Sequence, residues 1–203
     1  MEIAICCYEG FDDLDAIGPY EVFQNAADAG ADCSTSLRTI DDVDLVTASH
    51  GLRVEPDGRL EAVTPDLLLI PGGGWNDRER PGAWSEATRG DLPDRIATTF
   101  EDGVRIAAVC TGTMLCAEAG VIGDRPVVTH ASAMDELRDR GGNVVDARVV
   151  DAGEVVTAGG VTSGLDLALT IVEDSFGAAV AEDVATRMEY ERRGDVFTTD
   201  DSL

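Results

Sequence analysis

Apolar positions along the chain fall into short, nearly continuous runs separated by polar segments with helical signals. Runs of aliphatic and β-branched residues over residues 2–8, 66–70 and 104–109 are typical of strands that are covered on both faces of a sheet. Between the first two runs, a helix is predicted over residues 19–29, with Pro19 in its first turn and Gly30 as its stop. Strands that alternate with helices predict an α/β protein with a mostly parallel sheet.

The same signals place the remaining elements. Further strands are predicted over residues 34–40, 45–48, 52–54, 127–130, 144–150 and 154–158. Further helices are predicted over residues 91–102, 114–119, 133–140, 163–176 and 178–193. We expect a three-layer α/β sandwich with helices on both faces of the sheet. It forms one domain over residues 1–193, followed by a polar, frayed tail over residues 194–203.

Acidic residues outnumber basic residues 40 to 15, which gives a net charge of −25. The basic residues are all arginine, and the acidic residues are scattered rather than gathered into a tail. A solvated acidic shell of this kind repels itself at low salt and is screened at high salt. The composition therefore predicts a salt-rich cytoplasm, such as that of a halophilic archaeon. It argues against nucleic acid or an anionic membrane as a partner.

The five cysteines show no metal-ligand spacing, and their number is odd. Together with the lack of a signal-peptide pattern or a membrane-length apolar run, this indicates free thiols in a reducing cytoplasm. Cys6, Cys7 and Cys116 lie in predicted strands or helices and are expected in the core. No metal or cofactor is predicted.

Cys110 is the most informative position, because the apolar run over residues 104–109 ends on it and a helix-like segment follows at once. Such a cysteine lies at the edge where open α/β sheets bind their ligands. The N–H groups and dipole of the helix start favour a thiolate. The small residues Ala108 and Gly112 suit the tight turn of a nucleophile elbow, here with cysteine in place of serine. The alternative is a buried core thiol.

Asp15 is the candidate acid or base for this thiol, because apolar residues surround it just after the first predicted strand. It is equally well placed to be a helix cap. His130 is a further candidate, since it ends the predicted strand after the elbow helix. His50 lies in a predicted hairpin turn and is set aside.

A glycine loop follows the second apolar run and lets the backbone approach a ligand closely. Gly73, Gly74 and the backbone N–H of Thr111 are candidates for an oxyanion pocket. Trp75 and Trp84 follow this loop and either line the site or serve a surface or a dimer contact.

Five motifs occur in a fixed order along the chain. They are Leu14-Asp15-x-x-Gly18-Pro19, Pro71-Gly72-Gly73, Val109-Cys110-Thr111-Gly112, Thr129-His130 and the segment from Ala158 to Asp166. Over residues 2–193 this order resembles the ThiJ/PfpI superfamily of class I glutamine-amidotransferase-like, flavodoxin-like folds. The nearest branch is that of the isonitrile hydratases and the sensor domains of AraC-type regulators. The resemblance implies Cys110 as nucleophile, Asp15 as its acidic partner, Thr111 as the residue after the nucleophile, and a homodimer.

Three departures narrow the activity that the resemblance implies. PfpI-type peptidases carry histidine where Thr111 stands, and amidotransferases carry a His-x-Glu that the segment after His130 lacks. Deglycase and glyoxalase members carry glutamate where Asp15 stands. The resemblance therefore implies a hydratase or related lyase that converts a small electrophilic substrate, such as an isonitrile, to a formamide. The alternatives are a noncatalytic or redox-sensing ligand-binding domain, and a glyoxalase- or deglycase-like activity on 2-oxoaldehydes.

We expect the protein to lose its fold on dialysis from molar salt into dilute buffer, because the acidic shell is then no longer screened. Thermal melting followed by circular dichroism across a salt series measures this loss. A melting temperature in dilute buffer equal to that in molar salt would contradict the prediction.

Overall fold

A computed structural model describes residues 1–199 of the chain. The strands are β1 (Glu2–Cys6), β2 (Ser34–Arg38), β3 (Val46–Thr47), β4 (Arg53–Val54), β5 (Leu67–Ile70), β6 (Arg105–Val109), β7 (Pro126–Val127), β8 (Asn143–Val144), β9 (Val149–Asp151), β10 (Val155–Ala158) and β11 (Val196–Thr198). The helices are α1 (Asp13–Asp28), α2 (Ala83–Arg89), α3 (Asp91–Glu101), α4 (Gly112–Glu118), α5 (Met134–Asp139), α6 (Ser163–Phe176) and α7 (Ala178–Arg187).

Seven of these strands form the central sheet, in the order β11-β9-β10-β6-β5-β1-β2. The strands from β2 to β10 in this order run parallel to one another. Strand β9 pairs antiparallel with β10, and β11 pairs parallel with β9. The two short pairs β3–β4 and β7–β8 lie outside this sheet. The predicted α/β architecture with a mostly parallel sheet is confirmed.

The central strands of the sheet are almost completely buried. All residues of β5 and β10 are buried, as are all but the first residue of β1 and β6. Helices α1, α6 and α7 pack together as one group, and α2, α3 and α4 pack together as another. Because helices cover both faces of the sheet, its central strands have no polar face and appear as continuous apolar runs in the sequence.

The predicted start of the first helix was wrong. Helix α1 begins six residues earlier than predicted, and Pro19 lies inside it rather than in its first turn. Asp12 is the N-cap, since its side chain accepts the Leu14 N–H at 3.2 Å. Asp15 is therefore not the cap but a residue of the first turn. Because Pro19 has no N–H, the helix passes it without the bond that residue 19 would give to the Asp15 carbonyl.

The chain is also more ordered near its C-terminus than predicted. Residues 196–198, part of the predicted frayed tail, form β11 and pair with β9. Residues 200–203 of that tail lie outside the described residues. The predicted strand over residues 144–150 is two strands, because β8 pairs with β7 whereas β9 joins the central sheet. The short helix α2 was missed because its N-cap is Gly82, which has no side chain to signal a helix start.

We expect the Gly112→Ala variant to be destabilised by about 1–3 kcal/mol or more, because its Cβ would have to displace backbone. That Cβ would lie 2.2 Å from the Ile70 carbonyl oxygen of the neighbouring strand. Gly159→Ala is the matched control, since its nearest neighbour outside the adjoining residues is the Ser163 hydroxyl at 3.4 Å. Chemical denaturation in molar salt compares the two, and equal losses of stability would contradict the expectation.

Candidate active site

Cys110 occupies the junction between β6 and α4 with a φ of +57°, a left-handed conformation that is uncommon for a non-glycine residue. Its backbone is held from both sides. The Cys110 N–H donates to the carbonyl oxygens of Ala158 at 3.1 Å and Gly159 at 2.9 Å. The Thr129 hydroxyl donates to the Cys110 carbonyl at 2.8 Å. The sharp strand-to-helix turn predicted from the sequence is present.

The thiol of Cys110 is almost closed off from solvent, with 5% of the residue exposed. Burial raises the pKa of Cys110, and the nearby negative charge of Asp15 raises it further. The backbone N–H groups of Thr111 and Val161 face the sulfur and lower this pKa, but burial outweighs them. The N–H groups at the helix start favour the thiolate as expected, but they do not offset burial and the charge of Asp15. This thiol needs a base to become a nucleophile.

Asp15 supplies a carboxyl group beside the thiol, from the first turn of α1. The residue is fully buried, and its Oδ2 accepts the Gly72 N–H at 3.0 Å. Among residues 1–199, no group is hydrogen-bonded to its Oδ1. Burial raises the pKa of Asp15 to about 8, and the charge of Asp12 contributes to the rise. The carboxyl is therefore protonated at neutral pH and becomes a base only in mildly alkaline solution.

The two side chains influence one another directly. The Cys110 thiol and the Gly72 N–H both work against the rise in the pKa of Asp15, and the charge of Asp15 raises the pKa of Cys110. A side-chain hydrogen bond from Cys110 contributes to this lowering, while Oδ1 of Asp15 has no hydrogen-bond partner among residues 1–199. The structure thus brings Cys110 and Asp15 together. It leaves Oδ1 of Asp15, unpartnered within residues 1–199, available to a reacting group.

The glycine loop after β5 is used differently from the prediction. The Gly73 N–H donates to the Thr111 hydroxyl oxygen at 2.9 Å, so it is not free for a substrate. Gly74 packs against Gly82. The predicted role of the Gly73 N–H is therefore wrong, whereas the predicted Thr111 N–H does face the sulfur, together with that of Val161. The role of Gly74 in an oxyanion pocket stays a prediction.

Sequence reasoning missed two residues of the site. The buried Tyr8 hydroxyl donates to the carbonyl oxygens of Pro71 at 2.7 Å and Gly72 at 3.0 Å, which fixes the glycine loop beside Asp15. A tyrosine just past a central strand was the signal for it. Val161 presents its N–H to the sulfur with a φ of +38°. Nothing in a valine within a glycine-rich turn signals such a conformation.

His130 is not joined to the Cys110–Asp15 pair by any hydrogen bond within residues 1–199. Its Nδ1 accepts the Ser132 N–H at 3.1 Å and lies 2.8 Å from the Ser132 hydroxyl. Its ring covers Gly160, where a Cβ would lie 2.6 Å from the His130 Cδ2. His130 therefore supports the loop that carries Val161. The other histidine, His50, lies in the exposed turn between β3 and β4, as predicted.

The two tryptophans form an edge-to-face pair with ring centroids 5.2 Å apart. Trp75 is buried, and its indole N–H donates to a Glu136 carboxylate oxygen at 2.9 Å. The pair joins the loop after β5 to α2 and α5. It therefore has a packing role in the described structure.

The remaining cysteines are the other candidate reactive groups in the described part of the chain. Cys6 and Cys116 are core residues as predicted, and burial raises the pKa of each thiol to about 12. Residues 1–199 contain no group of three or more His, Cys, Asp or Glu side chains placed to hold a metal ion. Over the same residues, every helix is too short or too polar to cross a bilayer.

The sequence is similar to that of several known proteins. A sequence model of the DJ-1/PfpI family matches residues 1–174. The isonitrile hydratase of Pseudomonas putida is 28% identical over 191 residues, which cover 94% of this chain and 78% of that protein. A glutathione-independent glyoxalase of Caenorhabditis elegans is 30% identical over 131 residues, 63% of this chain and 66% of that protein. A deglycase of Thermococcus kodakarensis is 26% identical over 169 residues, 78% of this chain and 89% of that protein.

Solved structures share the fold. A ThiJ/PfpI family protein from Pseudomonas syringae has a TM-score of 0.83 at 25% identity and covers 95% of this chain and 76% of its own. An AraC family transcriptional regulator from Pseudomonas putida has a TM-score of 0.77 at 21% identity, over 92% of this chain and 98% of its own. The family's sequence model matches most of this chain, and a solved structure of the ThiJ/PfpI family shares its fold. The chain therefore belongs to the DJ-1/PfpI family.

Proposed function

We propose that this protein is a cysteine-dependent hydratase that adds water to a small electrophilic carbon, with an isonitrile as the substrate. The observation that carries the proposal is the buried Asp15 carboxyl beside Cys110, with a pKa of about 8 and one oxygen that has no partner within residues 1–199. A group with this pKa gives and takes a proton near neutral pH, as a hydration requires. The similarity to isonitrile hydratase over 94% of the chain supports the substrate class.

In the first half of the reaction, the Asp15 carboxylate takes the proton of the Cys110 thiol. The sulfur then forms a bond to the terminal carbon of the isonitrile, and Asp15 returns the proton to that carbon. The product is a thioimidate in which the carbon is bonded to sulfur and doubly bonded to nitrogen. The N–H groups of Thr111 and Val161 stabilise the thiolate that exists before the bond forms.

In the second half, Asp15 takes a proton from a water molecule, whose oxygen bonds to the thioimidate carbon. Asp15 delivers this proton to the nitrogen. The carbon–sulfur bond then breaks as the hydroxyl group becomes a carbonyl, and its proton returns through Asp15 to the Cys110 sulfur. One water is consumed, an N-substituted formamide leaves, and both side chains return to their starting state.

The enclosure of the site favours a small, terminal electrophile. Cys110 is 5% exposed and Asp15 is fully buried, so a carbon in the middle of a peptide or a large amide is poorly placed to reach the sulfur. An isonitrile carbon is terminal and linear. The aldehyde carbon of a 2-oxoaldehyde is also terminal, and the glyoxalase and deglycase relatives make this the second candidate substrate class.

The homodimer that the family resemblance implies stays a prediction.

We expect wild-type protein in molar salt to convert cyclohexyl isonitrile to the formamide, and Cys110→Ala to lose at least about a thousandfold in kcat/KM, because the nucleophile is removed. Cys116→Ala is the matched control, since it removes a buried thiol from the adjacent helix without touching the site. Chromatography of the formamide is the measurement. Equal turnover by wild type and Cys110→Ala would rule the proposal out, as would turnover of methylglyoxal alone.

The rate should also depend on pH through Asp15. Its pKa is raised, so the carboxylate base is the minor form below pH about 8, and kcat/KM should rise about tenfold per unit up to that value and then level. Asp12→Asn keeps a good helix cap but removes the charge that raises the pKa of Asp15. We expect it to move the midpoint to lower pH. A flat profile in both proteins would count against Asp15 as the base.

A further inference from the structure

The loop over residues 159–162, between β10 and α6, presents the Val161 N–H to the Cys110 sulfur. Val161 does so with a φ of +38°, which is a true outlier for a β-branched residue. Such a conformation persists only where the surroundings fix it. Whatever holds this loop therefore also holds one of the two N–H groups at the nucleophile.

Asp166, in the first turn of α6, makes three side-chain hydrogen bonds near the loop. Its side chain is 4% exposed. Oδ2 accepts Nε of Arg148 at 2.6 Å and the Tyr190 hydroxyl at 2.8 Å, and Oδ1 accepts the backbone N–H of Arg193 at 2.9 Å. A buried carboxylate with both oxygens bonded in this way is rigid, and it fixes the guanidinium that it binds.

Arg148 in turn contacts the loop at both ends. Its backbone carbonyl accepts the Gly159 N–H at 3.0 Å, and its Nη2 donates to the Thr162 hydroxyl oxygen at 3.2 Å. Val161 lies between these two attachment points. The Gly159 carbonyl also accepts the N–H of Cys110 at 2.9 Å, so the same segment holds the backbone of the nucleophile.

We propose that Arg148 and Asp166 are positioning residues for the nucleophile, which hold the loop so that the Val161 N–H stays against the Cys110 sulfur. Neither residue touches the reacting atoms. The inference rests on the proposed role of Cys110 as nucleophile, and not on the identity of the substrate. If the loop relaxes, the sulfur loses a hydrogen-bond donor, the thiolate is less stable, and Cys110 reacts more slowly with any electrophile.

A purely structural role is the competing explanation, because Asp166 also anchors the segment after α7 through Tyr190 and Arg193. The two explanations differ in what a small change does to the thiol. A structural role lowers the melting temperature and leaves the reactivity of Cys110 in the folded protein unchanged. A positioning role changes that reactivity.

The chain offers a closely matched pair of variants. Thr162, the residue before α6, accepts Nη2 of Arg148 at 3.2 Å. Thr170, inside α6, accepts Nη2 of Arg192 at 3.2 Å, and its hydroxyl donates to the backbone carbonyl of Asp166 at 2.8 Å without contacting the loop or the Asp166 carboxylate. Thr162→Val and Thr170→Val therefore each remove one hydroxyl that binds an arginine, but only the first loosens the loop. We measure alkylation of Cys110 by iodoacetamide in the folded proteins, by peptide mass spectrometry across neutral to alkaline pH, together with melting temperatures.

We expect Thr162→Val to slow alkylation of Cys110 about threefold or more at each pH, which corresponds to half a pKa unit, and Thr170→Val to leave it unchanged. Arg148→Lys, which keeps the charge but loses the planar fork, should slow it likewise. If Thr162→Val does not fold, Arg148→Lys decides the matter. Alkylation equal to wild type in these variants overturns the inference. Slowed alkylation in a protein that hydrates no isonitrile supports the inference while the proposed function fails.

Discussion

The left-handed backbone of Cys110 is the constraint on which the site depends. A residue with a Cβ adopts this conformation only when its neighbours fix it. Here carbonyl oxygens at the end of β10 accept its N–H, and the Thr129 hydroxyl binds its carbonyl. The next turn can form only because Gly112 has no Cβ, which would clash with the backbone carbonyl oxygen of Ile70. The parallel sheet brings the ends of β5, β6 and β10 to one edge, and these ends, together with Thr129 after β7, supply the contacts that keep the cysteine in its turn.

A second constraint is electrostatic. Asp15 is buried completely, in a chain whose other acidic residues lie mostly in solvent, and burial opposes its charge. No salt bridge offsets this unfavourable burial, since no arginine lies within salt-bridge distance of Asp15 in the described residues. An arginine there would have made the group a permanent anion. Without one, the carboxyl keeps a proton that it can give up, and the buried Cys110 thiol beside it has a base within reach.

The sequence predicted those features that depend on neighbours along the chain. The strand ending on Cys110, the helix after it and the central apolar runs were all readable, because a covered parallel strand leaves a continuous pattern. Asp15 was a candidate partner of Cys110 because apolar residues surround it after the first strand, but local sequence allowed a helix cap equally well. The family resemblance favoured the pairing, since ninety-five residues separate the two positions. The start of α1 was misplaced because a proline is more common in a first turn than inside a helix. The raised pKa of Cys110 and the contacts of Val161 and Arg148 depend on packing between distant segments, which no local pattern records.

Strand β11 has a consequence for the molecule in a crowded solution. Without residues 196–198, the backbone of β9 would form an open sheet edge, and its Val149 and Val150 are apolar. Unpaired edges of this kind recruit strands from other molecules and lead to aggregation. Strand β11 has the same length as β9 and pairs with it residue for residue, so the edge that other molecules meet is formed by residues 196–198 instead. The segment that looked like a loose tail therefore keeps the backbone of β9 and its buried Val149 and Val150 inside the sheet, away from neighbouring molecules.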